Sequence, residues 1–129
     1  MSIRKVVLTI ILIILAAKYS WDYITSEDFQ KYADKTKAPW TCQVNMILGG
    51  MYDVMSEYNS SYAMFDRVIN RCPNLPVAGD ALFRKADALE SLSRMQDALP
   101  VYYEYVEKYP DGKNIRIAQK AIDRIRFSR

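Results

Sequence analysis

The sequence predicts an all-α fold, on three observations. Gly 4 and Pro 5 are low counts for 129 residues, which rules out long flexible linkers and collagen-like or disordered classes. Apolar residues recur at helical spacing, as in Ala81, Leu82, Ala86, Leu89 and Leu92. Residues of matching type also recur at one fixed offset. Pro73 and Pro110 are 37 apart, and so are Gly49 and Ala86, Tyr52 and Leu89, Ser61 and Ala98, and Phe65 and Tyr102. The length allows one small domain.

Composition narrows the function before any motif is considered. There is no histidine, which removes a Ser-His-Asp triad, a Cys-His pair and His-ligated zinc. Two cysteines are too few for a Cys₄ metal site. No carboxylate pair reads as catalytic and no glycine-rich loop reads as a phosphate cradle, so neither an enzyme, a cofactor nor a metal is expected. The net charge of +3 is unevenly spread, with bases at both ends and a middle that is net negative by three. That is not the profile of a nucleic-acid-binding fold.

The N-terminus reads as a membrane segment. Residues 6–17 form an apolar run of twelve whose only polar member is Thr9, a hydroxyl able to bond back to the helix backbone. Its lipid-facing residues include Val6, Leu8, Ile11, Ile14 and Leu15. Twelve is short for a bilayer span, which takes about 20 residues. The flanks extend it: Lys18 can snorkel, and Tyr19, Trp21 and Tyr23 suit the interface. A helix from Val6 to Ile24 would cover roughly 28 Å. A cleaved signal peptide would also have a basic start and a short apolar core, but Lys18 follows Ala16-Ala17 and no A-x-A site appears. The expectation is an uncleaved signal anchor over residues 1–24. Arg4 and Lys5 precede the span, and Asp22, Glu27 and Asp28 follow it, so the N-terminus is expected in the cytoplasm and the rest outside, in the periplasm if bacterial.

A juxtamembrane segment, residues 25–41, is expected to be helical with Phe29 and Tyr32 on one side. Beyond it, the recurring residues resemble the tetratricopeptide repeat. Gly49 and Ala86 stand at that family's small eighth position, Tyr52 and Leu89 at the large eleventh. Ser61 and Ala98 stand at the small twentieth, Phe65 and Tyr102 at the aromatic twenty-fourth, and Pro73 and Pro110 at the thirty-second. Lys85 departs from the pattern at the seventh position, where Leu48 fits. The resemblance implies a short α-solenoid, with repeats at 42–75 and 79–112 separated by an insertion, Pro76-Val77-Ala78. It further implies helices that cross closely at the small residues and a seam filled by the aromatics. Asp97 is expected to cap helix B of the second repeat, with Pro100 in its first turn. Residues 113–129 form a basic last helix with Ile115, Ala118, Ala121, Ile122 and Ile125 on one face, which looks like a solvating cap. The phrases Ala81-Leu82-Phe83 and Tyr105-Val106-Glu107-Lys108-Tyr109-Pro110 are similar to periplasmic repeat proteins of the Tol-Pal and outer-membrane-assembly type.

In this frame Cys42 takes the first position and Cys72 the thirty-first, at neighbouring ends of an antiparallel helix pair. A disulfide is reasonable there, in an oxidising compartment. The alternative is two reduced thiols acting as small apolar residues. The family binds partners in a groove lined by its A helices, which here implies Met46, Asp53, Phe83, Asp87 and Glu90, with Gln43, Gly50, Val54, Asp80 and Ser91 beside them. The pattern is apolar with acidic edges and fits a basic or apolar segment. Arg116, Lys120 and Arg124 recur every four residues as a basic face. The expected role is a membrane-anchored scaffold or adaptor working on other membrane or periplasmic proteins within a hetero-oligomeric complex. The alternative is a permanent accessory subunit of such a complex.

Overall fold

Residues 2–128 are described by a computed structural model, and they contain seven helices and no strand. The chain divides into two compact units, Met1–Lys37 and Ala38–Arg129.

The first unit holds α1 (Ile3–Thr25) and α2 (Glu27–Thr36). None of the residues of α1 is buried. Its few hydroxyls are spent internally: Thr9 donates to the Lys5 carbonyl at 2.8 Å and Ser20 to the Ala16 carbonyl at 2.9 Å. Ser26 breaks the helix with an extended backbone, and its oxygen accepts from the Phe29 N–H at 3.2 Å, capping α2. Glu27 and Asp28 then occupy the favourable first turn. Phe29 is buried and meets Tyr23 edge-on, with ring centroids 5.9 Å apart. Tyr32 is half exposed, so the two aromatics do not share one buried side. Among the described residues no helix is long and apolar enough to cross a membrane: the uninterrupted apolar run ends at Ala17, before Lys18 and Asp22.

The second unit holds α3 (Pro39–Val54), α4 (Tyr58–Arg71), α5 (Val77–Ser91), α6 (Met95–Lys108) and α7 (Ile115–Phe127). Each packs on its successor, and α3 also reaches α5. The 37-residue offset is a property of the backbone as well as of the residue types. Ser56 and Ser93 both take φ 59°, in the left-handed region. Around each, the same hydrogen bonds recur: Glu57 N–H to Tyr52 C=O and Arg94 N–H to Leu89 C=O, at 2.8 and 2.9 Å. The helix ends at Cys72 and Tyr109 match too, at φ −128°, ψ 54° and φ −127°, ψ 61°. A serine in the left-handed region is uncommon. The turn between paired helices therefore comes from the packing on either side, not from a glycine.

The recurring residues sit where helices touch. Ser61, Phe65, Ala86 and Ala98 are fully buried, and Tyr102 nearly so. A Cβ on Gly49 would come within 2.5 Å of the Phe65 ring, so the glycine permits this crossing. One core cluster gathers Cys42, Phe65, Val68, Cys72 and Ala81 around the first pair. The other joins α5, α6 and α7 through Phe83, Tyr102, Tyr105, Ala118, Ile122 and Ile125. Cys42 and Cys72 are bonded, with Cα atoms 6.6 Å apart.

The insertion Pro76-Val77-Ala78 is taken up by the helix: Val77 and Ala78 form the first turn of α5, just as Pro39 starts α3 ahead of Cys42. Two local expectations need correction. Asp97 does not cap α6. Arg94 holds that position, and Asp97 lies in the first turn, accepting from the Arg94 Nε at 2.8 Å. Pro100 therefore falls one turn deeper than expected, on an exposed side of the helix where its ring meets solvent.

Candidate functional site

The groove residues divide into three groups. Asp53 from α3 and Asp80, Phe83 and Asp87 from α5 line one concavity of about 300 Å³, with Arg84, Lys113 and Asn114. Phe83 forms its floor. It is 9% exposed and held by Tyr102 and Tyr105, at centroid distances of 6.0 and 5.6 Å. Two expected members are elsewhere: Met46 packs against the disulfide cluster. Glu90 is occupied, accepting from the Tyr102 hydroxyl at 2.9 Å and from the Arg124 guanidinium. Spacing along the helix puts Glu90 on the right side, but the residue across from it, 34 positions later, decides its use.

That same pair breaks up the expected basic face. Arg116 and Lys120 remain exposed, while Arg124 turns back onto Glu90. The bond holds the Arg124 guanidinium above its ordinary pKa, and burial together with Glu90 raises the Tyr102 phenol.

Charges in the concavity are incompletely matched. Asp80 is shared by Arg84 at 3.4 Å and Lys113 at 3.5 Å. Asp53 accepts the Ser61 hydroxyl. Asp87 has no ion pair among the described residues, and its pKa is raised by partial desolvation and by the neighbouring carboxylates Asp53 and Glu90. Such a carboxylate gains from an incoming cation. A second concavity of about 320 Å³ shares Asp80 and Lys113 and is walled by Tyr105 and Tyr109.

A larger feature escaped the sequence reading. On α3, Ile47, Gly50, Met51, Val54 and Met55 form an apolar concavity of about 360 Å³. Val54 is 87% exposed and Ile47 63%. The signal was available in the i, i+4, i+7 spacing of Ile47, Met51 and Val54. Assigning α3 by family position took Met46, Gly50 and Val54 and left Ile47, Met51 and Met55 without a role.

The residues expected to form a membrane anchor, Val6, Leu8, Ile11, Ile14 and Leu15, are all exposed along α1, and Trp21 is partly covered. Among the described residues no cluster of Cys, Asp or Glu is placed to hold a metal ion. Neither protein-family models nor curated proteins give a match to this chain.

Proposed function

We propose that this chain is a non-enzymatic scaffold of the tetratricopeptide type, held to a membrane by α1 and binding another protein through the α3–α5 side of its repeat unit. The observation that carries the reading is a pair of exposed apolar surfaces with different patterns. α1 is apolar on every side along residues 6–17, which suits lipid. α3 is apolar along one stripe beside an acidic concavity, which suits a protein.

At 23 residues α1 is about 35 Å long, but its apolar run of residues 6–17 covers only about 18 Å of a hydrocarbon core of about 30 Å. Insertion relies on the flanks, with Lys18 snorkelling and Tyr19, Trp21 and Tyr23 at the interface. Basic residues before the apolar run and acidic ones after it favour an extracytoplasmic repeat unit. The disulfide favours the same side, because it persists in oxidising compartments. Anchoring confines the repeat unit to the membrane plane and raises its effective concentration near a partner.

A permanent subunit of a larger membrane complex is the second reading. It is favoured by the shortness of the stack: with two repeats, α3 has no preceding repeat to pack on, and it carries an apolar concavity. Alkaline carbonate extraction of native membranes tests the anchor. The wild-type chain should stay in the pellet and Ile11→Lys should enter the supernatant; release of both would refute insertion. A mild-detergent pull-down separates the two roles. A stoichiometric complex that survives salt washing marks a built-in subunit, and salt-sensitive partners mark an adaptor.

A further inference from the structure

We infer that the bare face of α3, together with the Asp53–Asp87 edge beside it, docks a basic amphipathic helix of a partner protein. The inference rests on the scaffold reading and adds the chemistry of the partner.

The fold itself shows what covers such a face. At the 37-residue offset, Ile47, Met51 and Met55 correspond to Arg84, Ala88 and Leu92. In α5 that face meets helices of the first repeat. The Arg84 guanidinium lies 5.8 Å from the Phe65 ring centroid and stands beside Gly50, while Ala88 is 2% exposed. In α3 no helix of residues 38–128 covers the same face, and Ile47, Met51 and Met55 are 63%, 46% and 52% exposed. At two of the three positions, 84 and 88, the residue types differ in the same sense, while Leu92 is apolar like Met55. The covered face carries a cation and a small alanine that fit a neighbour already present. The bare face carries larger apolar side chains, including two methionines, whose flexible thioethers adapt to an incoming surface. A helix laid in a groove, anchored at i, i+4 and i+7, is the matching geometry.

Charge sets which helix. Asp53 and Val54 are adjacent in α3 but line different concavities, so the apolar groove and the acidic one share this helix. Asp80 and Glu90 already hold Arg84, Lys113 and Arg124. Among the described residues Asp87 forms no ion pair, and Asp53 accepts the Ser61 hydroxyl. A partner helix with lysine or arginine along one edge of its apolar stripe completes both. A second copy does not offer one through its own basic helix, because the apolar stripe of α7 (Ala118, Ala121, Ile122, Ile125) is buried within the same chain.

The test uses the full chain in detergent micelles and a synthetic helix of about 18 residues, with leucines at i, i+4 and i+7 and lysines along one edge, followed by fluorescence anisotropy. Binding should fall at least about tenfold with Met51→Glu and about threefold with Asp87→Asn, the latter with a shallower salt dependence. A peptide whose lysines are replaced by glutamate should bind more weakly than the parent by about tenfold. Both substitutions are at exposed positions, and a cooperative thermal melt no lower than that of the wild type verifies that each variant is folded. Binding insensitive to Met51→Glu, or equal affinity for the acidic-edged peptide, would overturn the inference. So would a concentration-dependent dimer, abolished by Met51→Glu, which would give the face to a second copy. The anchor is judged separately by carbonate extraction, so its failure is distinguishable from failure here.

Discussion

The two repeats share a backbone and differ in what closes them. The turns at Ser56 and Ser93 have the same φ, and the helix ends at Cys72 and Tyr109 nearly the same φ and ψ. The first pair is tied by the Cys42–Cys72 bond across a small core. The second pair has no covalent tie and instead gains α7, which extends its core through Ala118, Ile122 and Ile125. Backbone geometry is thus preserved while the stabilising chemistry is exchanged. Within the repeat unit, one end is secured by a cross-link and the other by a capping helix. The cross-linked end is the one that presents apolar side chains on α3.

Deleting the aromatic of each seam should produce the largest effect. Phe65→Ala and Tyr102→Ala should each cost about 3–5 kcal/mol in denaturant unfolding. The tyrosine should cost additional stability beyond its ring, because its hydroxyl donates to Glu90. Equal responses to Tyr102→Phe and wild type would remove that hydrogen bond from the account. Next is the cross-link, which closes a loop of 30 residues. Cys42→Ser with Cys72→Ser should lose about 3–4 kcal/mol. The loss should appear first in hydrogen exchange of α3 and α4, with α6 and α7 protected for longer; uniform loss would mean that the two repeats unfold as one unit.

Gly49→Ala should destabilise by about 1–3 kcal/mol through overpacking on Phe65. At the equivalent position, Ala86→Gly should cost about 1 kcal/mol from helix propensity and about 1 kcal/mol more from the lost buried methyl. The smallest effect concerns Asp87. Its folded pKa lies above the usual value, so the folded state binds the proton more readily than the unfolded chain. Relative to unfolded, the chain is therefore most favoured by this group below the usual carboxylate range, and that advantage is lost as pH rises through the folded pKa. Asp87→Asn should raise the melting temperature slightly at neutral pH and have no effect at low pH. A stabilisation independent of pH would contradict this origin.

How far the molecule was legible depended on whether a feature was local or relational. The offset of 37 was written in residue types such as Gly49 and Ala86, because close crossing of helices demands small side chains wherever it occurs. The cysteine pairing followed from antiparallel helix ends. The turns at Ser56 and Ser93 were hidden, because a serine carries no mark of a left-handed backbone imposed by packing. The fate of Glu90 was hidden too: α5 alone shows an acid on its outer side, and only the return of α7 brings Arg124 to it. The bare stripe on α3 was visible as periodicity. Its exposure was not, since the same spacing in α5 lies under neighbouring helices.

The scaffold proposal turns on whether the apolar stripe of α3 meets another protein in native membranes. A photo-crosslinking residue at Val54, with a second at Tyr103 on the exposed side of α6, tests it most directly in native membranes. The account predicts one discrete adduct from position 54, lost on adding Met51→Glu, whose linked segment is a helix carrying lysine or arginine beside an apolar stripe. No adduct at position 54, or the same adducts from both positions regardless of Met51→Glu, would contradict it.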